Sequence, residues 1–86
     1  MLIEIGKDHS ISMDDILAVH PYKYNTPAYR SMRKAKREGK VLDCTHHKTT
    51  ILSIIEMRGG KIYLSSYPSS YFLQNCFDFY KKDPIS

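Results

Sequence analysis

Thr26-Pro27-Ala28-Tyr29-Arg30-Ser31-Met32-Arg33-Lys34-Ala35-Lys36-Arg37-Glu38-Gly39 carries its own start, its own stop and two distinct faces. A threonine hydroxyl followed by proline is a helix start. The hydroxyl caps an unpaired N–H, and proline fits the first helical position, where its missing N–H costs nothing. Gly39 supplies the left-handed residue that ends a helix after Glu38. Between these ends Arg30, Arg33, Lys34 and Arg37 fall at i, i+3, i+4 and i+7 and form one basic stripe. Ala28, Met32 and Ala35 lie opposite and can face a core. One amphipathic helix is thereby fixed, and the segments on both sides read as strands.

On the N-terminal side, Leu2-Ile3-Glu4-Ile5 alternates as a first strand ending at Gly6, and Lys7-Asp8-His9 is a turn. Ser10-Ile11-Ser12 is a short extended piece. Met13-Asp14-Asp15 leads into Ile16-Leu17-Ala18-Val19-His20, read as a buried strand ended by Pro21. Asp14 alternatively caps a short helical turn.

Past Gly39, Lys40–Thr45 reads as a strand and His46-His47-Lys48-Thr49 as a tight polar connection. Thr50–Met57 is the most β-prone segment. Its apolar residues do not alternate, so burial on both faces is expected, with a neighbouring subunit as one possible cover. Arg58-Gly59-Gly60-Lys61 turns the chain into Ile62-Tyr63-Leu64-Ser65-Ser66. Pro68-Ser69-Ser70 opens a second helix whose stripe is Phe72, Leu73, Cys76, Phe77 and Tyr80. The expected class is α+β, a small and mostly antiparallel sheet with two helices, in one domain over residues 1–86.

The 86-residue chain carries a net charge of +4, unevenly spread. Residues 23–40 hold seven of the thirteen Lys and Arg against one acid, Glu38, and so carry +6, while the remainder sums to −2. A localised positive field favours a polyanion, nucleic acid or an acidic membrane, over a neutral small-molecule substrate. The bland alternative is a solvated helix face. Membrane attachment is disfavoured because alanines and one Met32 supply little insertion energy. Met1–Gly6 has no basic start and no run approaches a membrane span, so a cytoplasmic protein is expected. A domain of this length buries only about 60–65% of its unfolded surface, so self-association is expected to add stability.

Chemistry has few candidates. His46 and His47 stand near Cys44 and Asp43, but zinc needs three or four converging ligands and no CxxC or HxxxH spacing occurs. Cys44 and Cys76 read as buried thiols in a reducing compartment. Asp14 and Asp15 look like turn and cap residues, and Arg58-Gly59-Gly60-Lys61 is no phosphate loop. No enzyme, cofactor or metal is expected. Tyr22, Tyr24 and Tyr29 flank the basic helix and could stack on unpaired bases, although packing or subunit contact is the favoured role.

The order of Ile5-Gly6, Ile11-Ser12, an apolar strand, Pro27 and a helix, Gly39-Lys40-Val41-Leu42-Asp43-Cys44-Thr45, a basic turn, a β-rich run and Ile62-Tyr63-Leu64-Ser65 resembles the RemA/RemB family of bacterial biofilm-matrix regulators. The resemblance spans roughly residues 2–75. It implies a ring-forming, DNA-binding regulator whose basic residues repeat around the ring, so that avidity replaces one large interface. It also implies charges that are partly missing here. Two arginines are usual before the threonine matching Thr50, where this chain has Lys48 and Thr49. A third is usual where this chain has Asp15. RemB-like members are poorer in those arginines.

The combined expectation is a homo-oligomeric regulator contacting double-stranded DNA through Arg30, Arg33, Lys34, Arg37, Lys48 and His47. The rivals are an oligomeric scaffold that has lost DNA binding and a binder of single-stranded RNA.

Overall fold

A computed structural model describes residues 1–6, 8–45 and 50–76, without the side chains of Asn75 and Cys76. The described elements run β1 (Leu2–Gly6), β2 (His9–Ser12), a 3-10 turn (Met13–Asp15), β3 (Ile16–Pro21), α1 (Pro27–Arg37), β4 (Val41–Asp43), β5 (Ser53–Met57), β6 (Ile62–Ser65) and α2 (Ser69–Cys76). The α+β class stands. β1 and β2 form an antiparallel hairpin of their own. The other four strands make a mixed sheet in the order β3-β5-β6-β4, in which β4 runs parallel to β6 and the other pairs are antiparallel.

β5 is central, and both its faces are covered within one chain. Ile55 and Met57 join Ile3, Ile5, Ile16, Cys44 and Phe72 on the side of the β1–β2 hairpin and α2. Ile54 joins Met32, Ala35, Ile62 and Leu64 under α1. The absence of alternation in Thr50–Met57 therefore reflects a three-layer arrangement, and no neighbouring subunit is needed to explain it. Two buried serines link the layers. Ser53 Oγ donates to the Tyr67 carbonyl at 2.8 Å, and Ser65 Oγ donates to the Ile5 carbonyl. Each satisfies a polar group that would otherwise be costly to bury.

β3 departs from the expected buried strand. It lies at the edge of its sheet, and only Ile16 is fully buried. Its register shifts between Ile16 and Ala18, so Leu17 is the extra residue of a bulge and is 59% exposed. Pro21 is the last residue of the strand rather than the first beyond it, a position an edge strand tolerates. The turn before β3 is capped by Ser12, whose Oγ accepts from Asp14 N, and not by Asp14. In α2, Phe72 is fully buried while its neighbour Leu73 is 51% exposed, so the apolar stripe there is narrower than the sequence suggests. Cys76, Phe77 and Tyr80, the rest of that stripe, fall outside the described side chains.

α1 follows its sequence signals closely. Thr26 Oγ1 accepts from Tyr29 N at 3.2 Å and donates to the Lys23 carbonyl at 2.8 Å, so one hydroxyl caps the helix and pins the loop before it. Gly39 takes φ +73° just past the Glu38 cap. Thr26→Ala is expected to cost about 1–2 kcal/mol, the upper part of the usual cap range because both bonds go. A denaturant melt compared with wild type measures it, and an unchanged midpoint would remove the cap from the account.

Candidate nucleic-acid interface

The helix turns its two faces as the spacing requires. Met32 and Ala35 are buried against the sheet, and Arg30, Arg33, Lys34 and Arg37 are all exposed. Burial of Met32 under α1 holds the helix on the sheet and so fixes where the stripe points. Among the described residues Lys40 and Glu38 form an ion pair at 3.4 Å, and His20 Nε2 lies 3.2 Å from Glu56 Oε1. Neither involves the stripe, so no described carboxylate forms an ion pair with it, although Glu38 and Glu56 line the same groove as Lys34.

The stripe is partly held in place. Arg30 Nη1 donates to the Asn25 carbonyl at 3.0 Å, bracing the loop ahead of the helix. Arg33 Nη1 donates to the Tyr29 hydroxyl at 3.4 Å. That bond, followed by the electrostatic attraction of the same Tyr29 oxygen, raises the affinity of the Arg33 guanidinium for its proton. Tyr29 in turn meets Tyr22 edge-on, with ring centroids 5.5 Å apart, and Tyr24 at 5.0 Å. Tyr22 and Tyr29 are partly buried on the core beneath α1, which favours packing over stacking on bases. Burial, then the neighbouring Tyr29, pushes the Tyr22 phenol above its usual range. Tyr24 is different, since it is 74% exposed.

The end of β4 is held by a local turn. Asp43 Oδ1 accepts from the backbone N–H of Thr45 at 2.9 Å and also from its hydroxyl. Cys44 is buried beneath, and desolvation, assisted by Asp43, pushes its thiol up, which makes it a core residue and a poor nucleophile. His46, His47, Lys48 and Thr49 lie outside the described residues. Lys48 and His47, two of the six expected contacts, therefore have no described geometry. Among the described residues no three His, Cys, Asp or Glu side chains come together as metal ligands.

The tertiary structure adds two cations that the linear reading did not assign to the site. Lys40 and Lys61 line a groove of about 370 Å³ beside α1 together with Lys34, with Glu38 and Glu56 also on its walls. Lys61 comes from the β5–β6 turn. It reaches Lys40 because Ile62 pairs with Val41 in a parallel register, a long-range contact with no local signature. Asp15, at the end of the 3-10 turn, also acquires a cationic neighbour. Its carbonyl accepts from Arg58 N at 2.8 Å, and Arg58 Nε donates to the Asp14 carbonyl at 2.9 Å.

A family model described as RemA-like, extracellular matrix regulatory protein A-like, matches residues 2–73. The chain belongs to the RemA-like family. The match runs from β1 into α2 and takes in Gly6, α1, Cys44 and the six described strands. No curated protein matches the chain. The RemA-like family is one of regulators by its description. No helix among the described residues is long and apolar enough to cross a membrane.

Proposed function

We propose that this RemA-like protein is a DNA-binding transcriptional regulator that works as a homo-oligomer, with a ring as the expected form. The observation that carries the reading is the α1 stripe: four exposed cations on one helix face, none of them in an ion pair with a described carboxylate. Arg30, Arg33, Lys34 and Arg37 contact phosphates, and Lys48 and His47 are proposed to add to them. Contacts of this kind position a protein on a duplex without reading bases, so selectivity rests on DNA shape. Arginine suits the role because its planar fork matches phosphate oxygens. One copy offers too small a footprint for tight binding, and repetition in a fixed array raises the effective concentration of each further contact. The position of Asp15 weakens one contact that the family resemblance implies, and neighbouring Arg58 restores a positive side chain to that corner. No cofactor, small-molecule substrate or membrane enters the reading, and the compartment is the cytoplasm.

The test joins light scattering to a gel shift on double-stranded DNA at two salt concentrations. The expected result is a multi-copy mass and a duplex affinity that falls steeply. About six phosphate contacts would lose roughly a thousand-fold between about 50 and about 200 mM salt. Assembly without retention of DNA at low salt would instead identify a scaffold. Preference for single strands, lost on Tyr24→Ala, would identify a stacking binder.

A further inference from the structure

We propose that the groove between α1 and the β5–β6 turn seats a backbone phosphate of the bound duplex, with Lys61 and Lys40 joining Lys34 as its cations. The inference rests on the DNA-binding reading above and carries the contact surface off the helix onto the sheet.

Ser31, Lys34, Ala35 and Glu38 form the helical wall of the groove. They stand at i, i+3, i+4 and i+7, one residue on from Arg30, Arg33, Lys34 and Arg37. The groove wall and the basic stripe are therefore adjacent rows of one helix, and Lys34 belongs to both. Across from the helix, Gly59 and Gly60 of the β5–β6 turn bring no side chain and Lys61 brings an ammonium. An added Cβ at either glycine would meet nothing within 4 Å, so this rim is open to a ligand. Leu17, Met57 and Ile62 add apolar surface.

Main-chain pairing brings the two added lysines to the groove. Ile62 N donates to the Lys40 carbonyl at 3.0 Å, and Met57 N donates to the Lys61 carbonyl at 2.8 Å. The backbone of each lysine is thus held independently of its side chain. The two acids on the walls are drawn to other neighbours: Glu38 pairs with Lys40 at 3.4 Å, and Glu56 Oε1 lies 3.2 Å from His20 Nε2. Lys34 and Lys61 are exposed and in no ion pair with a described residue. Two such ammoniums beside apolar walls of low dielectric focus a positive field at the mouth. A phosphate oxygen entering there also competes with Glu38 for Lys40. Lysine serves phosphate as a point charge and needs no fixed angle of approach. A phosphodiester strand fits better than a free anion, because a strand seated over Lys34 also meets the arginines of the stripe.

The experiment compares full-length Lys61→Ala, Lys61→Arg and Lys23→Ala with wild type in duplex binding at several salt concentrations, with mass by light scattering and melting temperature alongside. Lys23 is exposed like Lys61 but precedes α1 and does not line the groove. Lys61→Ala is expected to keep the wild-type mass and melting temperature. Its duplex affinity should fall about five- to tenfold for each engaged copy at about 0.1 M salt, and its salt slope by about 1 per copy. Lys61→Arg keeps the charge and is expected to bind like wild type, as is Lys23→Ala. Wild-type binding by Lys61→Ala, or equal losses from Lys61→Ala and Lys23→Ala, overturns the seat while the α1 reading stands. Lys61→Arg as weak as Lys61→Ala, or a changed mass in Lys61→Ala, overturns it as well, since Lys61 would then serve packing or assembly. A wild type that retains no duplex at low salt overturns both.

Discussion

Gly6→Ala is expected to destabilise the protein by about 3 kcal/mol, at the upper end of the usual range for overpacking. A Cβ at residue 6 would stand 2.2 Å from the carbonyl oxygen of Cys44 and 3.2 Å from its carbonyl carbon. No side-chain rotation relieves that contact, because the obstacle is backbone. The two segments that meet there are also fixed from elsewhere. Ile5 is fully buried and its carbonyl accepts from Ser65, while Cys44 N donates to the Leu64 carbonyl at 2.9 Å. The β1–β2 hairpin must therefore lift away from the sheet, exposing part of the core around Ile3, Ile5 and Phe72. A domain of this size has a total stability of about 4–13 kcal/mol. The loss corresponds to a fall in melting temperature of about 12–24 °C. Gly39→Ala is the control. An added Cβ meets nothing within 4 Å there, and only the positive φ is penalised, at about 1–2 kcal/mol. Similar melting temperatures for the two variants would show that the hairpin yields freely and that the close approach is not a constraint.

Arg33→Ala combined with Lys34→Ala is expected to weaken duplex binding by a hundred-fold or more, on the order of what the loss of four phosphate contacts implies at about 0.1 M salt when two copies engage one duplex. The salt slope should fall by roughly 1–2 units for each engaged copy, and the loss should be about equal across DNA sequences. Both side chains are exposed on a helix whose buried face is Met32 and Ala35, and alanine favours helix, so the fold is expected to hold. The bond from Arg33 to the Tyr29 hydroxyl is long, at 3.4 Å, and its loss is minor. Lys36→Ala removes the same kind of charge from the flank of the stripe and is expected to do much less. Affinity and slope unchanged in the double variant would exclude α1 as the contact surface. Equal losses from Lys36→Ala would reduce the stripe to bulk charge.

Several elements were legible residue by residue. Thr26-Pro27 and Gly39 set the ends of α1 through chemistry local to those residues, and the 3.6-residue period alone separated Arg33 and Lys34 from Met32 and Ala35. The β5–β6 turn at Arg58-Gly59-Gly60-Lys61 was equally local. The β3 segment was not. Four apolar residues in a row read as buried, yet Leu17 faces solvent because a bulge absorbs it at a sheet edge. Edge or centre is decided by which strands pair, and apolar content carries no information about that. The same limit applies to β5, whose continuous run indicated two covered faces without saying what covers them.

For the candidate site, Arg30, Arg33, Lys34 and Arg37 followed from one periodic segment, and their lack of ion pairs to described carboxylates did not. It depends on where Glu38 and Glu56 are drawn, toward Lys40 and His20. Lys61 joined the groove through the parallel β4–β6 pairing, and Arg58 reached Asp14 across 44 residues of sequence. By itself the sequence determined α1, its two faces, the local turns and the positive field, because each arises within a few residues from hydrogen-bonding ends, helical period or charge count. Only the tertiary structure decided the strand order, the edges left open, the layer that covers each face of β5 and the backbone contact that requires Gly6. Those depend on pairings between distant segments, whose energies no single stretch of chain contains.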